Sequence, residues 1–408
     1  MSDFKIIHGT SIILASNTIL TVTEGSDYSL ESGVAAEDCF VRIVCSRLTG
    51  LGKTVSGGSQ NVDDFTVQID NPENILTSFD FKRIGSTNDC RVDWEIIQYI
   101  GTDSGANEVK VRTVTGSLSV TNLTGDGAVL TNISDINKAV IYITGQSGSN
   151  IARGEWNEAL FTSEFIADGD DWLPRFSRGC TTDTAYISYT VIEFTGSNWR
   201  NIQRVAFDSC GITVDFPTAL LDTTKTFLHC QFTYVKTGAT GLDDCGETVE
   251  VLSTTQLNSR RKTTTDASLK HHVVWVIENI QSTGDYMIVQ HIAGSRTDNA
   301  TPEEHVYSNE INEVRDLDEA SVQSETVASA GTGTAYPRGS AGFRLTSTIN
   351  VDRTQSDVGQ DTYFAFSAVQ FPTAFVEPQQ YQQSISGELI LSGQERKKRK
   401  YYITIGTK

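Results

Sequence analysis

The 408-residue sequence predicts an all-β protein, built of tandem antiparallel β-sandwich modules with a C-terminal extended arm. Runs rich in β-branched and aromatic residues dominate the chain, and clusters of Asn, Asp, Gly and Ser separate them. An apolar pattern with the helical period is not sustained over any useful length. A strand motif recurs at a spacing of about 90 residues, which corresponds to one small domain rather than to one solenoid turn.

The recurrent motif is a short apolar strand that carries one aromatic residue. Its copies occupy residues 92–101, 187–196, 273–280 and 363–371. The aromatic residues are Trp94, Tyr189, Trp275 and Phe366, so successive steps are 95, 86 and 91 residues. We expect these four rings to anchor the core of each module.

The order of elements around the motif repeats as well. Each copy opens with an apolar strand that includes a basic residue, continues with a second strand, and then passes through a basic residue into a polar turn. These turns span residues 82–89, 177–183 and 259–266, and the corresponding stretch 351–357 is degenerate. Five or six such strands can form a two-sheet sandwich. The predicted modules are residues 1–109, 110–201, 202–288 and 289–371, the last being divergent.

Residues 372–408 are predicted to form the arm. The segment up to residue 393 contains a Gln-rich stretch that cannot pack a core. A basic run followed by an apolar strand comes next, and it supplies the candidate partner-docking residues Arg396, Lys397, Lys398, Arg399, Lys400, Tyr401 and Tyr402. The run has two interpretations: a solvated charge cluster, or an arm that docks on an acidic partner and adds a strand to its sheet.

The charge balance narrows the choice of partners. A formal net charge of −19 and a pI near 4.7 repel nucleic-acid phosphates and anionic lipids, so we expect neither nucleic acid nor a membrane as partner. No apolar run reaches the length of a membrane span, and the first residues lack the pattern of a signal peptide, which predicts folding in the cytoplasm. The seven cysteines include no CxxC pair and are interpreted as free thiols in apolar strands.

Motifs for catalysis are absent from the sequence. It contains no Gly-x-Ser-x-Gly, no His-Glu-x-x-His and no phosphate-binding Gly-rich motif, which predicts a protein without enzymatic activity, cofactor or metal. Residues 168–171 (Asp-Gly-Asp-Asp) leave two readings open, a calcium site or an exposed turn. Glu95, Glu193 and Glu278 recur at similar places in three modules and are expected to face solvent as part of the module structure.

Three tryptophans in polar surroundings raise the alternative of sugar binding. Trp156, Trp172 and Trp199 stand outside the apolar strand motifs, and exposed aromatic rings of β-sandwich modules often stack on sugars. Packing in the core or between modules is the competing interpretation for each of them.

The order of motifs resembles the repeated modules in virion structural proteins of tailed bacteriophages. The resemblance is carried by residues 189–194 with residues 202–204, and by residues 94–99, and it extends over residues 6–371, most clearly over 40–294. It implies a place in the virion shell or tail and brings no catalytic residues. A looser similarity to H-type lectin sandwiches keeps carbohydrate binding as an alternative.

These observations together predict a non-enzymatic structural protein of the virion, made and folded in the host cytoplasm. It would decorate or reinforce the capsid or form part of the tail. Its expected partners are other virion proteins and copies of itself, with which it would form a homo-oligomer. The alternative is a receptor- or carbohydrate-binding fibre or lectin-like protein. A β-rich polysaccharide hydrolase is the least favoured reading.

Overall fold

The computed structural model of the chain describes residues 3–48, 66–86, 88–148, 160–179, 181, 183–208, 211–235, 248–260, 269–284, 286–297, 304–306, 320–329, 339–344, 348–353 and 361–372. The predicted arm beyond residue 372, with its candidate docking residues 396–402, lies outside this set. So do Trp156 and the cysteines Cys180, Cys210 and Cys245.

The described residues form 24 strands, and every strand pair in the sheets is antiparallel, so the all-β sandwich prediction is confirmed. We call the strands β1–β6 module 1, β7–β12 module 2, β13–β18 module 3 and β19–β24 module 4. The module boundaries predicted from the sequence stay a prediction, because residues 1–375 form one compact unit.

The strands have the following bounds. Module 1 contains β1 (Phe4–Ile13), β2 (Ile19–Thr23), β3 (Cys39–Leu48), β4 (Gln68–Asp70), β5 (Ser78–Lys82) and β6 (Cys90–Tyr99). Module 2 contains β7 (Lys110–Val120), β8 (Thr124–Asp126), β9 (Ala139–Gly148), β10 (Phe161–Asp168), β11 (Asp171–Arg178) and β12 (Ala185–Glu193).

The second half of the chain repeats this order. Module 3 contains β13 (Gln203–Phe207), β14 (Thr213–Asp215), β15 (Thr226–Val235), β16 (Thr248–Val251), β17 (Gln256–Arg260) and β18 (Leu269–Glu278). Module 4 contains β19 (Ile288–Thr297), β20 (Glu304–Val306), β21 (Ala320–Ser329), β22 (Gly339–Arg344), β23 (Thr348–Arg353) and β24 (Asp361–Gln370). Short 3-10 turns occupy Ala36–Asp38, Pro72–Asn74, Ile136–Lys138 and Thr223–Lys225.

Each module consists of two three-stranded sheets with the same strand order. The sixth strand lies between the first and the third, and we call this the inner sheet. The fifth strand lies between the second and the fourth, and we call this the outer sheet. The same arrangement therefore occurs four times, with six strands each time.

The inner and outer sheets of a module enclose an apolar core. In module 1, Val92, Trp94 and Ile96 of β6 pack with Phe79 and Phe81 of β5. Alternate residues of a strand point to opposite faces, so the neighbours of these core residues point away from the outer sheet. In module 3 the corresponding core residues of β18 are Val274 and Val276.

The other face of the inner sheets contributes to a core that all four modules share. One continuous cluster contains Phe4 and Ile97 of module 1, much of module 2, Trp275 of module 3 and Val369 of module 4. Both faces of an inner sheet are therefore buried, as in sheets that are covered by other layers on both sides.

The modules follow one another in a closed cyclic order. The fourth strand of each module lies against the inner sheet of the next: β4 on β7, β9 and β12, β10 on β15 and β18, and β16 on β19, β21 and β24. The fourth strand of module 4, β22, lies against β3 of module 1 and completes the cycle. We call these contacts seams 1–2, 2–3, 3–4 and 4–1.

In the part of the chain that the structure describes, no helix has the length and apolar character needed to cross a membrane.

Candidate functional site: the seams between modules

The register of the inner sheets gives each residue an equivalent in the other modules. The first residue of the third strand lies opposite Gln98 in module 1, Glu193 in module 2, Glu278 in module 3 and Gln370 in module 4. Counted from this position, Trp94, Tyr189 and Phe366 are equivalent. Trp275 lies one residue further along its strand than the position equivalent to these rings. Val274 is the residue of module 3 that is equivalent to Trp94, Tyr189 and Phe366.

The one-residue offset turns Trp275 to the opposite face of its sheet. Trp94 packs edge-on against Phe79 of its own module, with ring centroids 5.7 Å apart, and Tyr189 contacts Phe176 of its own module at 4.6 Å. Trp275 instead meets Phe165 of module 2 at 5.7 Å. It therefore packs in seam 2–3 rather than in the core of module 3.

The buried glutamate at the end of β12 holds the loop that leads into the third strand. Glu193 is fully buried and accepts hydrogen bonds from the amides of Ser134 (3.0 Å) and Asp135 (2.6 Å), and Arg112 Nε donates to it at 2.6 Å. Several donors and one guanidinium compensate the charge that burial would otherwise penalise.

We call this arrangement, in which a buried side chain at the end of the sixth strand accepts hydrogen bonds from loop amides, the lock. It recurs in modules 3 and 1. Glu278 accepts from the amides of Leu221 (2.6 Å) and Asp222 (2.9 Å) and pairs with Arg200. In module 1 the equivalent Gln98 accepts from the amide of Glu31 at 2.8 Å. The recurrence of Glu193 and Glu278 thus reflects module structure.

The expectation that the recurring glutamates face solvent is wrong. Glu95, Glu193 and Glu278 expose 1%, 0% and 4% of their surface. Glu95 is also not equivalent to the other two, because it points to the shared core while they point into their own module. The expectation failed because alternation was taken to leave one face of the sheet in water, and neighbouring modules cover that face.

Glu95 lies at the centre of a polar cluster that joins module 1 to module 4. Arg42 Nη2 donates to Glu95 Oε2 at 2.8 Å, and Ser321 Oγ of module 4 donates to the same oxygen at 2.6 Å. His8 Nδ1 lies 3.3 Å from the other carboxylate oxygen. Arg42 Nη2 also donates to Ser321 Oγ at 3.1 Å, so seam 4–1 is built around one buried charge pair.

Burial alone would raise the pKa of Glu95. The positive charge of Arg42, together with the hydrogen bonds and charge of His8 and the hydrogen bond of Ser321, outweighs burial and lowers this pKa from 4.5 to about 2. The carboxylate is therefore ionised at every ordinary pH and keeps its partners in place.

This cluster contains a serine, a histidine and a carboxylate, but in an order that does not activate a nucleophile. Ser321 Oγ donates its proton to Glu95, and His8 contacts the other side of the same carboxylate. A hydrolytic triad requires the imidazole between the hydroxyl and the carboxylate, where it can take the hydroxyl proton. The arrangement seen here suits a structural contact.

The other seams also use buried polar side chains. In seam 1–2, Gln68 of β4 donates to Ser117 Oγ at 2.8 Å and accepts from Ser147 Oγ at 2.9 Å, so it bridges the two flanking strands of the next inner sheet. In seam 2–3, Gln231 accepts from the Ser163 amide at 2.8 Å and donates to the carbonyl of Ile141 at 2.8 Å.

Seam 1–2 also requires close contact between backbones. A Cβ atom on Gly116 would lie 3.0 Å from the Ile69 carbonyl oxygen, and one on Gly145 would lie 2.8 Å from that of Val67. Both glycines therefore allow β4 to rest directly on the inner sheet of module 2.

The third strands of modules 2 and 3 contact each other through their side chains. Arg42, Tyr142 and His229 are equivalent by register, and the rings of Tyr142 and His229 stack with centroids 4.2 Å apart. His229 Nε2 accepts from the amide of Ile143 at 3.3 Å. Burial, and secondarily the charge of Arg42, lowers the pKa of His229 from 6.5 to about 3, so its imidazole is neutral.

The junctions between modules meet in a second polar cluster. Asn107 Nδ2 donates to Asp3 at 2.9 Å and to Gln281 Oε1 at 2.8 Å, while its Oδ1 accepts from Asn198 at 2.9 Å and from Asn279 at 3.2 Å. These residues come from the N-terminus and all three junctions. The cluster therefore holds the connecting segments at one place.

The remaining sequence candidates have simpler surroundings. Residues 168–171 form the tight turn of the β10–β11 hairpin, in which Asp168 pairs with Asp171 and Gly169 has φ +67. Trp199 is buried against Phe194 at 4.8 Å, in agreement with packing.

The described cysteines and potential metal ligands also bear on the expectations from the sequence. Among the described residues, Cys39, Cys90 and Cys230 do not form disulfides. Within the described ranges, no group of three His, Cys, Asp or Glu side chains is placed to hold a metal ion.

Sequence reasoning did not single out the residues that make the seams, such as Arg42, Gln68, Gln231 and Ser321. Arg42 and Gln231 did carry a signal, because each interrupts an apolar strand with a polar side chain. A polar residue in a strand that is buried on both faces needs a partner, but the partner lies in another module and is not visible in the local pattern.

Comparison with known proteins yields no match: no protein-family model, no curated protein and no solved structure is similar to the chain.

Proposed function

We propose that the chain is a non-enzymatic structural protein of a bacteriophage virion, which decorates or reinforces the capsid or forms part of the tail. The observation that carries the proposal is the closed cyclic order of four similar modules around a shared core. Such a body presents four versions of one outer sheet in a fixed arrangement. The resemblance of its motifs to virion modules gives the proposal its biological setting.

The chemistry of the buried polar clusters supports a structural role. Glu193 and Glu278 hold loops, and Glu95 joins two modules, so each of these carboxylates is engaged in packing contacts. Contacts with other virion proteins and with further copies would use the outer sheets and the basic arm at residues 396–402. An interface of roughly 800 Å² on each partner is sufficient for a stable contact.

Mass spectrometry of purified particles tests this function. We expect the chain in particles from infected cells, at a fixed ratio to the major shell or tail protein, and retained after a high-salt wash. Its absence from washed particles would refute the proposal. Exposure of the purified protein to a glycan array tests the receptor-binding alternative, for which we expect no binding.

A further inference from the structure

Seam 4–1 differs from the other three in how the chain spans it. Residues 100–109, 194–202 and 279–287 lead directly from one module to the next across seams 1–2, 2–3 and 3–4. Within the described residues, no such connecting segment crosses seam 4–1, and side-chain and strand contacts hold modules 4 and 1 together there.

The contacts of seam 4–1 come from two unlike surfaces. Module 1 contributes Arg42, Glu95 and Phe4, and module 4 contributes Ser321 and Phe371, whose ring stacks on Phe4 with centroids 4.7 Å apart. An interface between unlike surfaces cannot be satisfied by one surface meeting itself. It closes into a ring within one chain or continues from one chain to the next.

We propose that seam 4–1 also forms between copies, with module 4 of one chain seated on module 1 of a second chain. This inference deepens the proposed structural role and rests on it. The occupant is a second copy because only another module 4 presents Ser321 and Phe371 in the register that Arg42 and Phe4 require. The result is a linear or larger closed series of modules that uses contacts already present in the single chain.

Opening seam 4–1 would expose the buried charge pair of Arg42 and Glu95 to water. Burying a charge pair costs hydration energy, and that cost is recovered when Arg42 and Glu95 return to water. A turn at Gly284, which has φ +73, lies in the junction between modules 3 and 4.

Complementation between two variants tests the proposal. Arg42→Glu places a carboxylate beside Glu95 and spoils the module 1 side of the seam. Ser321→Asp places a carboxylate against Glu95 and spoils the module 4 side. Neither chain closes its own seam, but the intact module 4 of the first fits the intact module 1 of the second.

Size-exclusion chromatography with light scattering gives the readout. Each variant alone should show the 44.6 kDa chain mass, and an equimolar mixture should show twice that mass. A mixture that keeps the single-chain mass overturns the proposal. A chain with both substitutions is the matched control, because mixing it with itself creates no intact seam and should leave the mass unchanged.

The unmodified chain provides a second test in case a variant does not fold. Isotope-labelled and unlabelled chains are incubated together at high concentration and examined by native mass spectrometry. Dimers of mixed label support exchange between copies, and the lack of mixed dimers contradicts it. Particle composition is measured separately, so failure here is distinguishable from failure of the proposed virion role.

Discussion

The two faces of each inner sheet differ in how far their residues repeat from one module to the next. The face towards the outer sheet of the same module keeps similar residues in the copies: Gln98, Glu193 and Glu278 all hold the preceding loop. The face towards the other modules changes from copy to copy, with Arg42, Tyr142 and His229 at one equivalent position. Residues that fold a module are thus repeated, and residues that join modules are individual.

This difference teaches how a repeated sequence specifies one arrangement. Four identical modules could pack in several orders with similar energy. Distinct side chains at the seams remove this ambiguity, because Arg42 finds Ser321 only across seam 4–1, and Tyr142 stacks on His229 only between modules 2 and 3. Side chains at the seams therefore select the neighbours of each module.

Breaking the repeated lock should have the largest effect. Glu193→Ala removes the acceptor for two amides and leaves Arg112 without its buried counter-charge, so we expect the free energy of unfolding to fall by about 3–5 kcal/mol. Urea denaturation followed by tryptophan fluorescence measures this. Glu193→Gln is the control and should cost less, because Gln98 performs the same task in module 1. A loss below about 1 kcal/mol for the alanine variant would contradict the role of the lock.

The charged seam should respond to strong acid. The pKa of Glu95 is about 2 in the folded chain and 4.5 when unperturbed, so its contribution is complete above pH 4.5 and is lost as the pH falls towards 2. We expect a loss of about 3 kcal/mol over this range. Glu95→Gln should flatten this part of the stability curve relative to the unmodified chain. Parallel curves for the two proteins would show that Glu95 is not held as described.

Burial of neutral His229 between modules 2 and 3 should make the free energy of unfolding depend on pH in a milder range than Glu95 does. His229 has a pKa of about 3 in the folded chain, whereas the unfolded chain takes up a proton below pH 6.5. Stability is therefore complete above pH 6.5 and should fall by about 2 kcal/mol by pH 5. His229→Gln, which copies the residue Gln323 at the equivalent position, should remove this loss. Thermal melts of both proteins at pH 7 and pH 5 make the comparison, and an equal decrease in both would count against it.

The smallest expected effect concerns the turn before the third strand. Asp135 and Asp222 each accept from a backbone amide at 2.9 Å and cap a 3-10 turn, whereas Ala35 in module 1 makes no such bond. Asp135→Ala should cost about 1 kcal/mol, and Ala35→Asp should gain up to about that amount. Thermal melting of both variants tests whether module 1 accepts the cap of its neighbours. A destabilised Ala35→Asp protein would show that the turns are not interchangeable.

The module architecture was predictable because each module repeats its local pattern. Alternating apolar residues indicated the strands, and the basic residue before each polar turn recurred as well. Arg83 and Arg178 explain that recurrence: each is buried and donates to a main-chain carbonyl of the loop between the first and second strands of its module, at 3.0 Å to Asn17 and 3.0 Å to Asn122. A pattern that recurs in each module thus indicated a contact within one module.

The seams were not predictable from such patterns, because their partners are far apart in the chain. Arg42 and Ser321 are separated by 279 residues. Trp275 illustrates the limit: its aromatic ring was expected at the same place as Trp94, but it belongs to the opposite face. One residue of register decides which face a strand residue occupies, and an apolar run on both faces hides that register.

The cyclic closure within one chain has a consequence for how the exterior can change. In an assembly of four identical chains, one mutation alters all four corners at once. Here each of the four modules is encoded by its own part of the chain, so a substitution on one outer sheet leaves the other three unchanged. The chain can therefore fit its four sides to four different neighbours while its interior stays the same.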